Sequence, residues 1–169
     1  MAMQYKLPGT INNEQFGVEI IPIEEFLKDS QAKNDFYKLL MELVEDENEY
    51  RKTTHLTLNG IYTPESTFST AKEWDKIYFV LDGQNHRIGC CQTNYDTRFA
   101  TIYVGCVVIT KLFRGRGLGN MLMNRVVEDH PGQDLTLTVS AGNPRGIKFY
   151  QDKGFTVTDY KMVLVAKAK

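Results

Sequence analysis

A change of pattern near residue 110 is the feature that most constrains how this chain can fold. Before it, three apolar runs joined by short polar turns indicate an antiparallel meander: Lys76–Leu81, Arg87–Tyr95 and Arg98–Ile109. After it come the glycine-rich stretch RGRGLGN (Arg114–Asn120), a helical pattern, and a strand at Leu135–Val139. A strand–helix–strand connection makes its two strands parallel, and the crossover itself is right-handed. We therefore predict one mixed sheet.

The first part of the chain predicts one strand and one long helix. Phe16–Ile23 is typical of a strand, and Pro22 ends it. The helix is indicated by an apolar stripe at helical spacing, formed by Phe36, Leu39, Leu40, Leu43 and Val44. We interpret the acidic run Glu45–Glu49 as a solvated helix end. Thr53–Thr70 is rich in turn residues and is predicted to form loops.

The last part of the chain predicts a second helix and two strands. Asn143 and Pro144 have the residue types of an N-cap and a first helical position, and Gly154 ends that helix. Strands are predicted at Phe155–Val157 and Met162–Val165. The expected fold is therefore α/β (α+β), one domain over residues 1–169, with a mostly antiparallel mixed sheet of about 6–7 strands and helices on both faces.

Composition excludes several classes of function. The chain has 169 residues, 42% hydrophobic and 24% charged, with a net charge of −1 and a pI near 6.3. This balance provides no basic field for nucleic acid or an anionic membrane. The longest apolar run, Val104–Ile109, is too short to span a bilayer, and the N-terminal residues lack the apolar segment of a secretion signal.

Three cysteines, Cys90, Cys91 and Cys106, lie in apolar strand-like stretches. An odd number with two adjacent residues does not indicate a disulfide framework, so we expect buried thiols in a reducing, cytoplasmic setting. The three histidines are not at ligand spacing from the cysteines, and no metal site is predicted: His55, His86 and His130.

The stretch RGRGLGN lies between a strand and a helix, where the first helical N–H groups have no intrahelical partner. Gly115, Gly117 and Gly119 allow these amides to approach an anion, while Arg114 and Arg116 add positive charge. The stretch lacks the lysine of a Walker A loop and the spacing of a dinucleotide fingerprint. An anion cradle, a structural turn and a nucleic-acid contact all remain compatible with these residues alone.

Two motifs in order resemble the GNAT superfamily of acyl-CoA-dependent N-acetyltransferases. Arg114–Gly119 fits the family's R/Q-x-x-G-x-G/A signature, and NPRGIKFYQDKGF (Asn143–Phe155) fits its N-x-x-A/G-x-x-x-Y-x-x-x-G-F motif. The resemblance covers roughly residues 76–169 and implies that this part binds acetyl-CoA. Residues 1–75 would then contribute the first strand, helices and loops on the acceptor side.

The resemblance also implies which residues hold the cosubstrate. The strands Thr101–Ile109 and Leu135–Val139 would splay apart to admit it. The pyrophosphate would bind at the turn, and the pantetheine arm would follow the preceding strand and Asn143. The implied binding residues are Val107, Val108, Ile109, Arg114, Gly115, Arg116, Gly117, Leu118, Gly119, Asn120, Asn143 and Tyr150.

For catalysis the resemblance assigns one residue and leaves another open. Tyr150 would be the general acid that protonates the departing thiolate, and a backbone N–H, for example that of Ile109, would bind the oxyanion. Many relatives carry a glutamate base on the preceding strand, but Tyr103 stands at about that place here. The candidates for the base are a relayed water, Tyr103, His55 and Glu65.

The implied activity is transfer of an acetyl group from acetyl-CoA directly to an amine acceptor, with no nucleic-acid or membrane partner. Homodimers are usual in such a family. The missing strand carboxylate motivates an alternative, a weakly catalytic acyl-CoA-binding protein that regulates or inhibits a partner. An unrelated nucleotide- or RNA-binding domain is the third hypothesis. Acceptor specificity would come from two segments, Phe26–Thr70 and Thr156–Lys161.

Overall fold

The computed structural model describes residues 10–11, 14–52, 58 and 62–162. Its strands are β1 Thr10–Ile11, β2 Glu14–Gln15, β3 Gly17–Pro22, β4 Lys76–Leu81, β5 Arg87–Asp96, β6 Thr101–Ile109 and β7 Leu135–Thr136. Its α-helices are α1 Ile23–Phe26, α2 Ser30–Tyr50, α3 Pro64–Thr70, α4 Leu118–Asp129 and α5 Pro144–Asp152. Two short 3₁₀ helices lie at Ala71–Glu73 and Lys111–Phe113.

The main sheet has five strands in the order β3-β4-β5-β6-β7. The first three pairings are antiparallel, and β6 pairs with β7 in parallel. This confirms the predicted meander followed by a crossover. Within the described residues, β1 and β2 form a separate two-stranded sheet, so the main sheet has fewer strands than the six or seven expected.

The strands predicted after residue 134 agree only in part with the structure. Residues 155–162 have no regular secondary structure, so the strand predicted at Phe155–Val157 is wrong. Most of the strand predicted at Met162–Val165 lies outside the described residues. The strand predicted at Leu135–Val139 is paired only over Leu135–Thr136, because β6 and β7 separate beyond that point.

Helix α3 occupies a segment that we predicted to be loop. Thr63 caps it: the Thr63 hydroxyl accepts a hydrogen bond from the Ser66 N–H at 3.1 Å, and the Ser66 hydroxyl accepts one from the Thr63 N–H at 2.9 Å. Pro64 is the first helical residue. Pro64 and Ser66 are among the turn residues of this segment, but at this spacing after Thr63 they start a helix.

The two faces of the sheet carry separate cores, as the predicted helices on both faces require. Along β4, Ile77, Phe79 and Leu81 pack in the cluster that α2 covers. Tyr78 and Val80 point to the opposite cluster, which α4 covers. This alternation is that of a strand buried on both sides, and all five side chains are almost completely buried.

A β-bulge distorts β6 next to Gly105, a glycine inside the strand, which as a sequence signal indicates a bulge or a close approach by another group. Gln92 pairs with Gly105 and Cys90 pairs with Val108, so two residues of β6 stand opposite the single residue Cys91. One of the two, Cys106, has a φ of 53°. The bulge turns the second half of β6 relative to the first, beside the point where β7 separates from it.

We expect His130 to make the protein less stable below neutral pH. Its side chain is buried after the end of α4, and burial lowers the pKa of His130 from 6.5. The unfolded chain therefore binds a proton more readily, so stability is lost as pH falls through about 6.5 towards the lower folded pKa. One such group costs at most about 1.4 kcal/mol per pH unit.

The measurement is urea unfolding at pH 7.5 and 5.5 for the wild type and His130→Gln. The wild type should lose more stability than the variant over this interval. The pKa values of Asp129 and Asp82 are lowered from 3.8, so these groups act at more acidic pH. The exposed His86 supplies the control, His86→Gln. Equal losses in the wild type and His130→Gln would contradict this explanation.

Candidate functional site

The candidate site is a cleft of about 920 Å³ where β6 and β7 separate. Their parallel pairing consists of Ile102 with Leu135 and Tyr103 with Thr136, and β7 ends there. Beyond it, Val107 of β6 and residues 137–139 after β7 line the cleft from opposite sides. The predicted splayed parallel pair is therefore present.

The glycine turn lies at one end of this cleft and begins helix α4. Gly117 is the N-cap residue, and it has no side chain that could bond to the helix. The first backbone bond of the helix runs from the Met121 N–H to the Gly117 carbonyl at 3.1 Å. The N–H groups of residues 118–120 therefore have no acceptor within the helix, and they are available to an anion.

The three glycines of the turn have different structural reasons. Gly115 and Gly117 both have a φ of 76°, a left-handed conformation that other residues adopt at a cost. A Cβ atom at either position would meet no protein atom within 4 Å. Gly119 is helical, and a Cβ there would only touch the Phe149 ring at 3.5 Å. The conformational requirement thus falls on Gly115 and Gly117.

Arg114 connects the turn to helix α2. Its Nε donates to the Ile109 carbonyl at 2.7 Å. Its Nη2 lies 3.1 Å from a Glu42 carboxylate oxygen and 2.7 Å from one of Asp46. Arg114 borders the cleft, but protein carboxylates already hold its guanidinium. We infer that Arg114 orients the turn more than it neutralises a ligand.

The other predicted members of the turn differ in accessibility. Arg116 stacks over the Phe113 ring at 5.0 Å and does not line the cleft within the described residues. The Leu118 side chain is buried in the core under α4, so only its backbone can reach a ligand. Asn120 is exposed and lines the cleft.

Strand β6 presents alternate residues to the cleft. Val107 and Ile109 line it, whereas Val108 is buried in the core against α2. The Thr110 N–H donates to the Ile88 carbonyl of the neighbouring strand at 2.9 Å. Because antiparallel hydrogen bonds alternate along a strand, the Ile109 N–H points to the opposite edge, which borders the cleft.

Helix α5 brings Asn143 and Tyr150 to the cleft. Asn143 is the N-cap, and its Oδ1 accepts a hydrogen bond from the Gly146 N–H at 2.8 Å. The Tyr150 ring packs edge-on against Phe149 and Phe155. Burial raises the pKa of Tyr150 above its ordinary value of 10, and the charges of nearby Cys91, Glu47 and Tyr103 add to this shift. The phenol therefore stays protonated at ordinary pH.

Comparison with known proteins agrees with this geometry. The model of the acetyltransferase (GNAT) family matches residues 34–155. This chain belongs to the GNAT family. The match includes residues 34–50 of α2, the whole glycine turn and α5, so the site residues described above fall within it.

Individual proteins similar to this GNAT chain share only a small part of its sequence. An uncharacterized N-acetyltransferase, ycf52, from Gracilaria tenuistipitata var. liui is 31% identical over 96 residues, which are 56% of this chain and 49% of that protein. The chain thus spans about half the length of this curated relative. A mutant of the BH1408 protein from Bacillus halodurans has a TM-score of 0.65 at 15% identity, covering 87% of this chain and 97% of that one.

A third relative is glucosamine-6-phosphate N-acetyltransferase from Arabidopsis thaliana. Its structure matches with a TM-score of 0.54 at 18% identity, covering 88% of this chain and 97% of that one. At such identity these structures show a shared fold.

None of the helices described in this GNAT chain is long and apolar enough to cross a membrane.

Two side-chain candidates for a base in this GNAT protein, Tyr103 and Glu65, fall within the described residues, and of these two only Tyr103 lines the cleft. Tyr103 lines it at the point where the two strands separate. Glu65 is exposed in the first turn of α3 and does not line the cleft in the described structure. His55 lies outside the described residues.

Sequence reasoning missed Glu47, which lines the cleft from α2. The acidic run is predicted to be a solvated helix end, but only part of it is solvated: the side chain of Glu49 is 64% exposed and that of Glu47 is 17% exposed. Glu47 lies three residues after the buried Val44, on the same helical face. That spacing was the available signal.

The cysteines do not form a reactive centre. Cys90 and Cys91 are fully buried, and Cys106 is half-buried at the cleft wall. Burial raises the pKa of Cys106 to about 12, which disfavours the thiolate that an acyl-cysteine intermediate needs. Within the described residues, no group of three or more histidine, cysteine or acidic side chains could hold a metal ion.

Proposed function

We propose that this protein transfers an acetyl group from acetyl-CoA to an amine acceptor by direct attack in a ternary complex. The observation that carries the proposal is the uncapped start of α4 at the end of the splayed cleft. No capping side chain accepts a hydrogen bond from its amides, and the left-handed Gly117 exposes them. An anion such as a pyrophosphate complements this arrangement, because the helix dipole adds partial positive charge there.

The rest of the cleft suits the remaining parts of acetyl-CoA. The edge of β6 at Val107 and Ile109 is open to the cleft, so a pantetheine arm can hydrogen-bond to it as an added strand would. Asn143 lies on the opposite side, where its amide can contact the same arm. These assignments rest on the fit between donor groups and ligand chemistry.

The reaction needs three groups near the thioester: the attacking amine nitrogen, a donor for the oxyanion and an acid for the departing thiolate. The amine nitrogen forms a bond to the carbonyl carbon, and the carbon–sulfur bond then breaks. The Ile109 N–H is suited to stabilise the oxyanion, since it points to the cleft edge. Tyr150 is suited to give its proton to the departing thiolate, because burial keeps the phenol neutral. Counted from its ammonium form, the acceptor nitrogen loses two protons: one reaches solvent before the attack, and the other replaces the proton that Tyr150 gives to the thiolate.

The first test is thermal unfolding with and without acetyl-CoA. A ligand at 100 times its Kd adds about 2.7 kcal/mol, which should raise the Tm by roughly 5–10 °C for a chain of this size. Adenosine 3′,5′-bisphosphate, which lacks the pyrophosphate and the pantetheine arm, is the control and should give a smaller shift. No shift at millimolar acetyl-CoA would contradict both this function and its binding-only alternative.

The alternative is a GNAT protein that binds acyl-CoA and regulates a partner with little turnover. The absence of a carboxylate from β6 favours it, since the run Thr101–Ile109 contains none. Mass spectrometry of an amine panel and a cell extract incubated with labelled acetyl-CoA separates the two. Labelled product in amounts well above the enzyme supports transfer, and none supports the alternative.

A further inference from the structure

One end of the cleft is unused by the groups assigned above. It lies between α2 and the first half of β6, away from the glycine turn. The side chains that line it are Glu47, Arg51, Tyr62, Trp74, Gln92 and Tyr103. Five of these six, all but Arg51, can accept or donate hydrogen bonds without carrying a positive charge, so this end suits a polar group.

Gln92 is the most unusual member of this group. Its side chain is only 6% exposed, and its Oε1 is a buried acceptor with no hydrogen-bond partner. Buried polar atoms are nearly always paired, so this oxygen remains able to accept a hydrogen bond from a ligand in the cleft. Gln92 lines the cleft, and its terminal amide torsion is soft, so the amide can adjust to a ligand there.

Gly105 explains how Gln92 reaches this position. A Cβ at Gly105 would lie 2.5 Å from the Gln92 Nε2, so any other residue there would displace the amide. The pairing of Gln92 with Gly105 comes directly before the bulge at Cys106. The glycine and the bulge together hold the Gln92 side chain at the floor of the cleft.

Glu47 stands on the α2 side of the same end. The Arg51 Nε binds its Oε2 at 3.2 Å, and this pair fixes the carboxylate. The other oxygen, Oε1, accepts no hydrogen bond from the described residues. The charge of Glu47 raises the pKa values of both Tyr62 and Tyr150, although burial is the larger cause for each. Glu47 therefore faces the space that these two phenols border.

We propose that Glu47 and Gln92 bind the acceptor amine as an ammonium ion, which makes the acceptor a cationic primary amine. An ammonium has three N–H donors, and these two side chains offer it a carboxylate oxygen and an amide oxygen. Tyr62, Trp74 and Tyr103 add aromatic faces, which also attract cations. This inference rests on the proposed function, since it names the acceptor that the reaction uses.

The test uses the fluorescence of Trp74, because the chain contains one tryptophan and it lies at this end of the cleft. The full chain, saturated with coenzyme A, is titrated with butylamine and with butan-1-ol. These probes have the same alkyl chain but differ in charge at pH 7. We expect the wild type to bind butylamine at least ten times more tightly than the alcohol.

Variants then separate the two oxygens. Glu47→Gln keeps the shape of the side chain and should remove the preference for butylamine. Gln92→Met should weaken butylamine binding about threefold or more while leaving butan-1-ol binding unchanged. Glu49→Gln is the matched control, since Glu49 is on the same helix but exposed and paired with Lys52. That control should behave like the wild type.

The outcomes also distinguish this inference from the proposed function. If acetyl-CoA stabilises the wild type and all variants equally, the cosubstrate site is independent of these residues. A wild type without a preference for butylamine, or a Glu47→Gln variant that keeps it, would then overturn the amine subsite alone. A wild type that acetyl-CoA does not stabilise would instead remove the proposed function, whatever the amine titrations give.

Discussion

Gly117→Val is expected to lower acetyl-CoA affinity by about 100-fold or more and to abolish the Tm shift. Gly117 has a φ of 76° and supplies the N-cap of α4 without a side chain. Valine resists this conformation, so the turn must rearrange and the amides of residues 118–120 lose their direction. The affected end of the helix provides the only backbone donors that we assign to the pyrophosphate.

Gly132→Val is the matched control for this prediction. Gly132 has a φ of 72° in the turn after α4, where a Cβ would also meet nothing within 4 Å. Both substitutions should therefore cost a similar strain, about 1–3 kcal/mol of stability. Only Gly117→Val should lose the acetyl-CoA shift. If both variants kept the shift, the turn would be structural and the cradle assignment would fail.

The comparison of the two glycines shows what the sequence could predict. Spacing alone placed Gly115, Gly117 and Gly119 at a strand-to-helix junction, and the structure confirms this place. The spacing could not show that Gly119 is an ordinary helical residue, because that depends on where the helix begins. It also could not show that Arg114 is held by Glu42 and Asp46, since those residues are some 70 positions away in the chain.

Prediction worked best where the pattern was local. The strand Lys76–Leu81 has the predicted bounds, because apolar residues with polar turns on both sides define it. The bulge next to Gly105 also follows from a local signal, a glycine inside a strand. The strand predicted at Phe155–Val157 is wrong because a short apolar run does not reveal whether a partner strand is available.

The end of the cleft that Glu47 and Gln92 line was the hardest part of the site to predict. Glu47 was concealed in an acidic run, although its helical phase relative to Val44 assigns it to the buried face. Gln92 gave no signal at all, because an isolated glutamine in a strand indicates no chemistry. The proposed role of Gln92 depends on its unpaired side-chain oxygen, and this feature is visible only in the packing of the amide against Gly105.

Tyr150→Phe is expected to reduce turnover by about ten-fold or more while acetyl-CoA affinity stays nearly unchanged. The ring contacts with Phe149 and Phe155 do not involve the hydroxyl, so phenylalanine preserves the packing. What the variant loses is the proton donor for the thiolate. The measurement is release of free coenzyme A thiol with saturating acceptor, together with the acetyl-CoA Tm shift.

The pH dependence provides a second readout for Tyr150. Burial, together with the charges of nearby groups, raises its pKa above 10, so the acid form persists on the alkaline side. Wild-type turnover should therefore show no loss from this group up to about pH 10, because the ordinary tyrosine value already lies there. A decline below that pH that disappears in Tyr150→Phe would contradict the raised pKa.

Two further tyrosines make the Tyr150 result specific. Tyr160→Phe is a surface control, since Tyr160 is 87% exposed, and it should leave turnover unchanged. Tyr103→Phe removes the other phenol where β6 and β7 separate, and it tests the remaining side-chain candidate for the base in the described cleft. Unchanged turnover in Tyr150→Phe with a large loss in Tyr103→Phe would move the acid–base role to Tyr103. A loss in Tyr150→Phe alone would exclude Tyr103 as the base and would leave a relayed water, His55 or Glu65, with Glu47 as a further candidate because it lines the cleft.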